Sequence, residues 1–173
     1  MRQEWNGLEF YQAFDVFEPS LKDELIADLD DEIEENLGPV PLYQTKHDFH
    51  THERAQHPRW QHVYGTVQNL VEEFYGKKVE LQKSWANKIT PDSYYFLHTH
   101  SFDIAVTYYL QTHKSTYGTY FNYDGKEIIF LGHENSVMAF DGKIPHEIVY
   151  PPSNVLKYKP RYSVAFDYNY VNT

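Results

Sequence analysis

The sequence predicts a mainly β domain, a sandwich or barrel with helices packed outside it, on three observations. Tyr and Phe are plentiful, at 16 and 11 residues, and these side chains favour the half-buried pleated surface of a sheet. Apolar periodicity of the helical kind is confined to the chain before Gly76, and short β-type runs broken by turn signals follow it. Helices gathered at one end of the sequence and strands at the other make a β layer covered by helices. The 173 residues are the size of one domain, enough to bury roughly two-thirds of the unfolded surface. The expected division is residues 1–78 as helical N-terminal support and 79–173 as the β core of one domain over 1–173.

Taken in order, residues 8–17 read as a strand. A helix follows Pro19-Ser20, with Ser20 as its cap and Asp23 in its first turn. Leu21, Leu25, Ile26, Leu29, Ile33 and Leu37 form its apolar stripe, and Gly38, Pro39 and Pro41 end it. The second helix spans about 58–75. Trp60, Val63, Tyr64, Val67, Leu70, Val71 and Phe74 recur there at three and four residues, and Gly76 sits past its end. The β runs number about eight: 79–89, 94–100, 104–111, 116–123, 127–131, 136–140, 147–150 and 161–170. Asp124-Gly125 is a tight-turn dipeptide, and Pro91-Asp92, Gly132, Asp141-Gly142 and Pro151-Pro152 mark other breaks.

Composition narrows the chemistry. Cys is 0, which leaves imidazole and carboxylate as metal ligands and favours iron, zinc, copper or manganese. A net charge of −10 argues against nucleic acid as a non-specific partner, because phosphates would be repelled. Residues 1–18 lack the apolar core of a signal peptide, and no apolar run reaches spanning length, so the expectation is a cytoplasmic protein without a membrane partner.

The 10 histidines fall into two groups. His47, His50, His52, His57 and His62 lie in or near the segment between the helices, which reads as a solvated loop. His98-Thr99-His100 ends a strand, and residues two apart on a strand share a face, so both imidazoles project together. Asp103 follows where the chain must turn, and His146 heads a later strand after Pro145. A non-heme iron(II) site uses two histidines and usually one carboxylate on one octahedral face, leaving positions open for substrates. A lone histidine is ordinarily a satisfied surface or core residue; a same-face pair with a strand-end partner and a turn carboxylate is harder to dismiss. Arg161 and Ser163 share one face of the last strand, and a guanidinium beside a hydroxyl suits a carboxylate. The plain alternative is an Arg161 that begins its strand at the surface, paired with an ordinary acid.

At these residues the chain resembles the iron(II)- and 2-oxoglutarate-dependent oxygenases, most nearly the short, prolyl-hydroxylase-like members common in bacteria and bacteriophages. Ser84-Trp85-Ala86-Asn87 is similar to the family's Trp-x-Asn strand. His98-Thr99-His100-Ser101 with the run from Asp103 to Leu110 resembles its metal-binding strand, turn and return strand. Ser136 to Phe140, then Pro145-His146-Glu147, resembles its apolar strand, loop and histidine, and Arg161-Tyr162-Ser163 its Arg-x-Ser strand. The resemblance covers residues 84–168, about half the chain.

It implies a double-stranded β-helix and a dioxygenase that hydroxylates a peptide or protein side chain such as proline, or a small molecule. It also implies Fe(II), 2-oxoglutarate and O2, with ascorbate as an accessory reductant. His146 is then the distal ligand and His98 or His100 the proximal one. Arg161, Ser163 and Tyr109 reach the far carboxylate of 2-oxoglutarate, and Asn87 and Trp85 line the pocket. Two departures stand out. The family's His-x-Asp or His-x-Glu is His-x-His here, so Asp103 supplies the carboxylate or the site has three histidines. The 15-residue step from His146 to Arg161 is long, and the stretch 150–160 reads as an extra, substrate-facing loop. Rival readings are a cupin-type metal dioxygenase or isomerase that does not use 2-oxoglutarate, and a non-catalytic jelly-roll binding protein. Tyr94, Tyr95, Tyr108, Tyr117, Tyr120 and Tyr123 either line a groove or, more ordinarily, pack within the sheets.

Overall fold

Two antiparallel sheets face each other across a cavity, and two helices cover the outer face of the larger one. The structure, a computed structural model, describes residues 1–36, 42–91, 93, 95–113, 118–149 and 159–171. In chain order the strands are β1 (Arg2–Trp5), β2 (Leu8–Ala13), β3 (Glu34–Asn36), β4 (Leu42–Gln44), β5 (Val79–Ile89), β6 (Ile104–Gln111), β7 (Thr119–Tyr123), β8 (Lys126–Phe130), β9 (Ser136–Asp141), β10 (His146–Ile148) and β11 (Arg161–Tyr170). The helices are α1 (Leu21–Glu32) and α2 (Pro58–Tyr75). The large sheet has 8 strands in the order β1-β2-β9-β6-β11-β5-β4-β3, and the small one has 3 in the order β10-β7-β8. Among the described residues, no helix is long and apolar enough to cross a membrane.

Local chemistry explains the elements that match expectation. α2 begins at His57, whose side chain accepts from the Arg59 amide, with Pro58 in the first turn; it ends at Gly76 in the left-handed region, φ 63°. Its buried face carries Trp60, Val63, Tyr64, Val67 and Val71, spaced by three and four residues. Asp124 and Gly125 take φ of 52° and 70°, the pair of positive values that a two-residue hairpin turn between β7 and β8 needs. β5, β6 and β11 occupy the ranges expected for the β-type runs over 79–89, 104–111 and 161–170.

Other expectations are corrected. α1 ends at Glu32 and Ile33 is extended, whereas the apolar stripe carried the helix to Leu37. The acidic run Asp30, Asp31, Glu32, Glu34 and Glu35 sets like charges four apart at a helix C-terminus, where the dipole disfavours them. Ser20 holds the N-cap position but its side chain makes no capping hydrogen bond. The expected stops at Gly38, Pro39 and Pro41 lie outside the described residues, as do Tyr94, Tyr117 and stretch 150–158 of the expected loop. The first 78 residues are not only helical support, since β1 and β2 extend one end of the large sheet and β3 and β4 the other. The segment 95–100 is irregular apart from an antiparallel bridge from His98 to His146, where a strand over 94–100 was expected. The strand expected over 8–17 stops at Ala13.

Burial divides along the strands by the period of two. On β11, Tyr162, Val164, Phe166 and Tyr168 join Leu25, Leu29, Trp60, Val63 and Val67 in the core between helices and sheet. Arg161, Ser163, Ala165 and Asp167 face the cavity between the sheets. A second core holds Phe10, Tyr109, Phe121, Phe130, Met138 and Phe140 on the inner side. Each fully buried large side chain contributes roughly 1.5–3 kcal/mol.

Candidate metal centre

His98 and His146 are joined by their backbones. The His98 amide donates to the His146 carbonyl at 3.0 Å and the His146 amide returns to the His98 carbonyl at 2.9 Å. Two residues on, the His100 amide donates to the Gly142 carbonyl at 2.7 Å. A side chain at Gly142 would run into the Phe102 carbonyl, 2.6 Å from an ideal Cβ, so glycine lets the histidine segment lie against the end of β9. These contacts bring one ring nitrogen of each of His98, His100 and His146 within 4.8 Å of the others.

The hydrogen bonds fix which nitrogens meet. His98 Nδ1 lies 2.8 Å from the Phe96 carbonyl and His146 Nδ1 lies 2.8 Å from the Ile144 carbonyl. A carbonyl only accepts, so both Nδ1 atoms carry the proton and both Nε2 atoms keep a lone pair. His100 Nδ1 lies 2.7 Å from Asp167 Oδ1, and its Nε2 lies 3.2 Å from His146 Nε2. Anchoring the outer nitrogen so that the inner one can bind is the arrangement of metal-ligating histidines. The electrostatics agree. Desolvation, helped by the neighbouring His98, pushes the His146 pKa down to about 3, so its ring is neutral at neutral pH. Desolvation also lowers His98, against the Phe96 carbonyl, which favours the charged form.

The three imidazoles open into a cavity of about 430 Å³ that Arg161, Ser163, Asn87 and Trp85 also line. Trp85 stacks on His100 at 5.6 Å and 17°. Arg161 is 1% exposed; its Nη1 donates to the Gly118 carbonyl at 3.3 Å and its guanidinium lies 5.3 Å from the Tyr109 ring centre. Ser163 and Asn87 face each other across β11 and β5, and the buried Asn87 Oδ1 has no hydrogen-bond partner. Tyr109 stands one layer back, its hydroxyl 2.7 Å from Thr119 Oγ1, and Thr119 lines the cavity.

Asp103 is not brought to the histidines. Its Oδ2 accepts from the Tyr170 amide at 3.0 Å, beside a separate polar cavity that Asp141 and Lys143 also line. Nearness in sequence put it by the turn, but its direction ties it to the end of β11. The carboxylate beneath the histidines is Asp167, which the sequence reading missed; counting by two from Arg161 along β11 would have found it. His47 was missed as well. It lines the cavity 4.7 Å from the Trp85 ring, and desolvation, then Lys83, lowers its pKa. The rest of its segment is not a plain solvated loop. Phe49 and Ala55 are buried, Phe49 meets the Trp60 ring edge-on at 5.2 Å, and two 3-10 turns, Phe49–Thr51 and Glu53–Gln56, shape it. Of the tyrosines, Tyr95 lines the cavity and Tyr108 is buried beneath the helices.

No family model matches the chain, and no curated protein matches it in sequence. Solved structures match over most of its length. A 2OG-Fe(II) oxygenase-family oxidoreductase from Burkholderia pseudomallei gives a TM-score of 0.68 at 12% identity, covering 92% of this chain and 84% of that one. A prolyl-4-hydroxylase from Pseudomonas putida gives 0.63 at 14% identity, covering 92% of each. The fold is shared with the 2OG-Fe(II) oxygenases. HygX from Streptomyces hygroscopicus, solved with nickel and 2-oxoglutarate bound, gives 0.68 at 12% identity, covering 92% of this chain and 82% of that one. The common architecture is the double-stranded β-helix, as the sequence resemblance implied.

Proposed function

We propose that the chain is an Fe(II)- and 2-oxoglutarate-dependent dioxygenase in which His98, His100 and His146 hold the metal. The observation that carries the reading is one cavity lined both by three imidazoles, two of them anchored through Nδ1 on backbone carbonyls, and by the buried guanidinium of Arg161. The donor set fits a divalent transition metal, since three imidazoles offer ring nitrogens to one point and His98 and His146, protonated at Nδ1, present no competing hydrogen there. Arg161 would grip the far carboxylate of 2-oxoglutarate in a two-pronged, charge-assisted contact, and Ser163 would add a hydroxyl donor. Asn87 and Thr119 offer further polar contacts, while Trp85 and Phe140 close the walls against water. Bound iron with 2-oxoglutarate and O2 supplies the oxidation, in which 2-oxoglutarate becomes succinate and carbon dioxide as the substrate gains a hydroxyl. Ascorbate serves as an accessory reductant in this reading.

For the substrate, a peptide or protein side chain such as proline is the first assignment. The prolyl-4-hydroxylase of the same fold supports it, as does Phe96, an exposed aromatic that lines the cavity. Calorimetry under anaerobic conditions tests the core of the proposal. Iron-loaded protein should bind 2-oxoglutarate, and Arg161→Ala should bind it at least 10-fold more weakly, the effect of about 1.5–3 kcal/mol for a hydrogen bond to a charged group. Equal affinity in the two proteins would overturn the Arg161 role. Absence of succinate from iron-loaded protein given 2-oxoglutarate, O2 and a proline-peptide library would overturn the reaction with that substrate class.

A further inference from the structure

We infer that Asp167 is the charge partner of a three-histidine metal centre, a positioning residue that acts through His100; the role rests on the reading of His98, His100 and His146 as ligands. A metal held by two histidines and a carboxylate has one ionic charge cancelled by its ligands, whereas three neutral imidazoles cancel none. In this chain the missing negative charge sits one residue further out. Asp167 is 2% exposed, and its Oδ1 lies 2.7 Å from His100 Nδ1. Among the described residues, the His100 imidazole is the only basic side chain within 4.0 Å of its carboxylate. Lys83, opposite it in the β11–β5 register, is exposed and sits over the Phe102 ring at 5.4 Å.

A buried carboxylate with no cation beside it is costly, so Asp167 needs a positive charge that the protein's own fixed cations do not deliver at contact distance. A divalent ion on His100 Nε2 delivers it through the ring. Asp167 Oδ1 makes no hydrogen bond of its own; a ring seated on a metal through Nε2 would turn its Nδ1 proton onto that oxygen, which fixes the tautomer and makes Nε2 a better donor. Ring orientation is constrained twice, since Trp85 stacks on His100 at 17° and His146 lies at 12° to it. The backbone supports the placement. The register between β11 and β5 shifts between Asp167 and Tyr168, so Asp167 closes the cavity-facing row that Arg161, Ser163 and Ala165 begin.

The test uses the metal alone, without co-substrate. Anaerobic Fe(II), and Co(II) as a coloured stand-in, are titrated against a competing chelator into the wild type, Asp167→Asn and Asp167→Ala. Asn keeps an acceptor near Nδ1 and loses the charge; Ala loses both. The expected result is 10–100-fold weaker binding in Asp167→Asn and a larger loss in Asp167→Ala. The Fe(III)/Fe(II) potential should rise in Asp167→Asn, because a negative charge that favours the ferric ion is gone. Near-ultraviolet circular dichroism checks that each variant is folded. A measurement on wild type alone guards against variants that do not fold: nitrogen NMR of 15N-histidine protein loaded with Zn(II) should show His100 bound through Nε2 with Nδ1 protonated. Binding of the metal by wild type and Asp167→Asn with equal affinity and potential would remove the Asp167 role and leave the metal centre standing. Coordination of His100 through Nδ1 would do the same. A wild type that binds neither Fe(II) nor Co(II) would remove both.

Discussion

Two polar clusters, one buried in the helix layer and one opening into the cavity, use similar groups and end in opposite states. In the helix layer Asp28 is 3% exposed and fully engaged: Oδ2 accepts from Arg59 Nε at 2.6 Å and Trp60 Nε1 at 2.9 Å, and Oδ1 accepts from Arg59 Nη2 at 2.7 Å and Arg54 Nη1 at 3.3 Å. Arg54 goes on to Glu32 at 2.8 Å. That network is closed, and α1 and α2 are tied together by it. In the cavity, the outer nitrogens of His98 and His146 rest on backbone carbonyls and that of His100 lies 2.7 Å from an Asp167 oxygen that makes no hydrogen bond, while inner nitrogens of His100 and His146 stand 3.2 Å apart. A closed network stabilises a fold, whereas inward-facing lone pairs make a place for a cation.

Acid should separate the two most strongly. Burial works to raise the Asp28 pKa, and hydrogen bonds from Arg59, Trp60 and Arg54 overcome it, so the net shift is downward. Its stabilisation is complete above the ordinary carboxylate value and is lost only as pH falls through the lowered one. His146 behaves differently. Its pKa is depressed to about 3, so from about pH 6.5 downward the unfolded chain takes a proton that the folded ring refuses. Metal-free protein should therefore lose stability progressively between about pH 6.5 and 3, by on the order of 4–5 kcal/mol for this residue. Urea denaturation across that range measures it, and a flat profile in the metal-free protein would break the contrast.

Next in size is Asp28→Ala, which leaves Arg54, Arg59 and the Trp60 indole without their acceptor. The expected cost is about 3 kcal/mol, the low end for a broken buried pair because both arginines are partly exposed. Metal affinity of the folded variant should not change; a parallel fall in both would mean that the clusters are coupled. His146→Ala should do the reverse. Wild type should gain about 2.7 kcal/mol of stability with free metal at 100 times its dissociation constant, and the variant should gain almost none. The smallest effect belongs to Ser163→Ala, about 1 kcal/mol or roughly fivefold in 2-oxoglutarate affinity by calorimetry.

What was legible in the sequence follows the range over which its causes act. α2 came through with its ends because Pro58 and Gly76 are local signals, and β5, β6 and β11 because β-type runs bounded by turn residues are local as well. β3 and β4 were not read, since three-residue strands at a sheet edge carry almost no pattern. The histidines, Arg161, Ser163, Asn87 and Trp85 were named and share one cavity. Asp103 was named for its nearness in sequence, and only the path of the turn shows that it belongs to the end of β11. Asp167 was passed over because it trails an apolar run, although its parity on the strand matches that of Arg161. His47 depends on packing against Trp85, a contact between distant segments that no short window reveals.

One consequence of the alternation along β11 reaches beyond either cluster. Odd positions face the cavity and even positions carry the apolar anchors, so the strand is a two-sided template. Deleting a single residue between 162 and 166 would invert every position N-terminal to the cut relative to those after it, aiming Arg161 at the helices or Asp167 at Trp60 and its neighbours. Substitutions on β11 can be exchanged one side at a time, but its length cannot drift without cost to core and chemistry together.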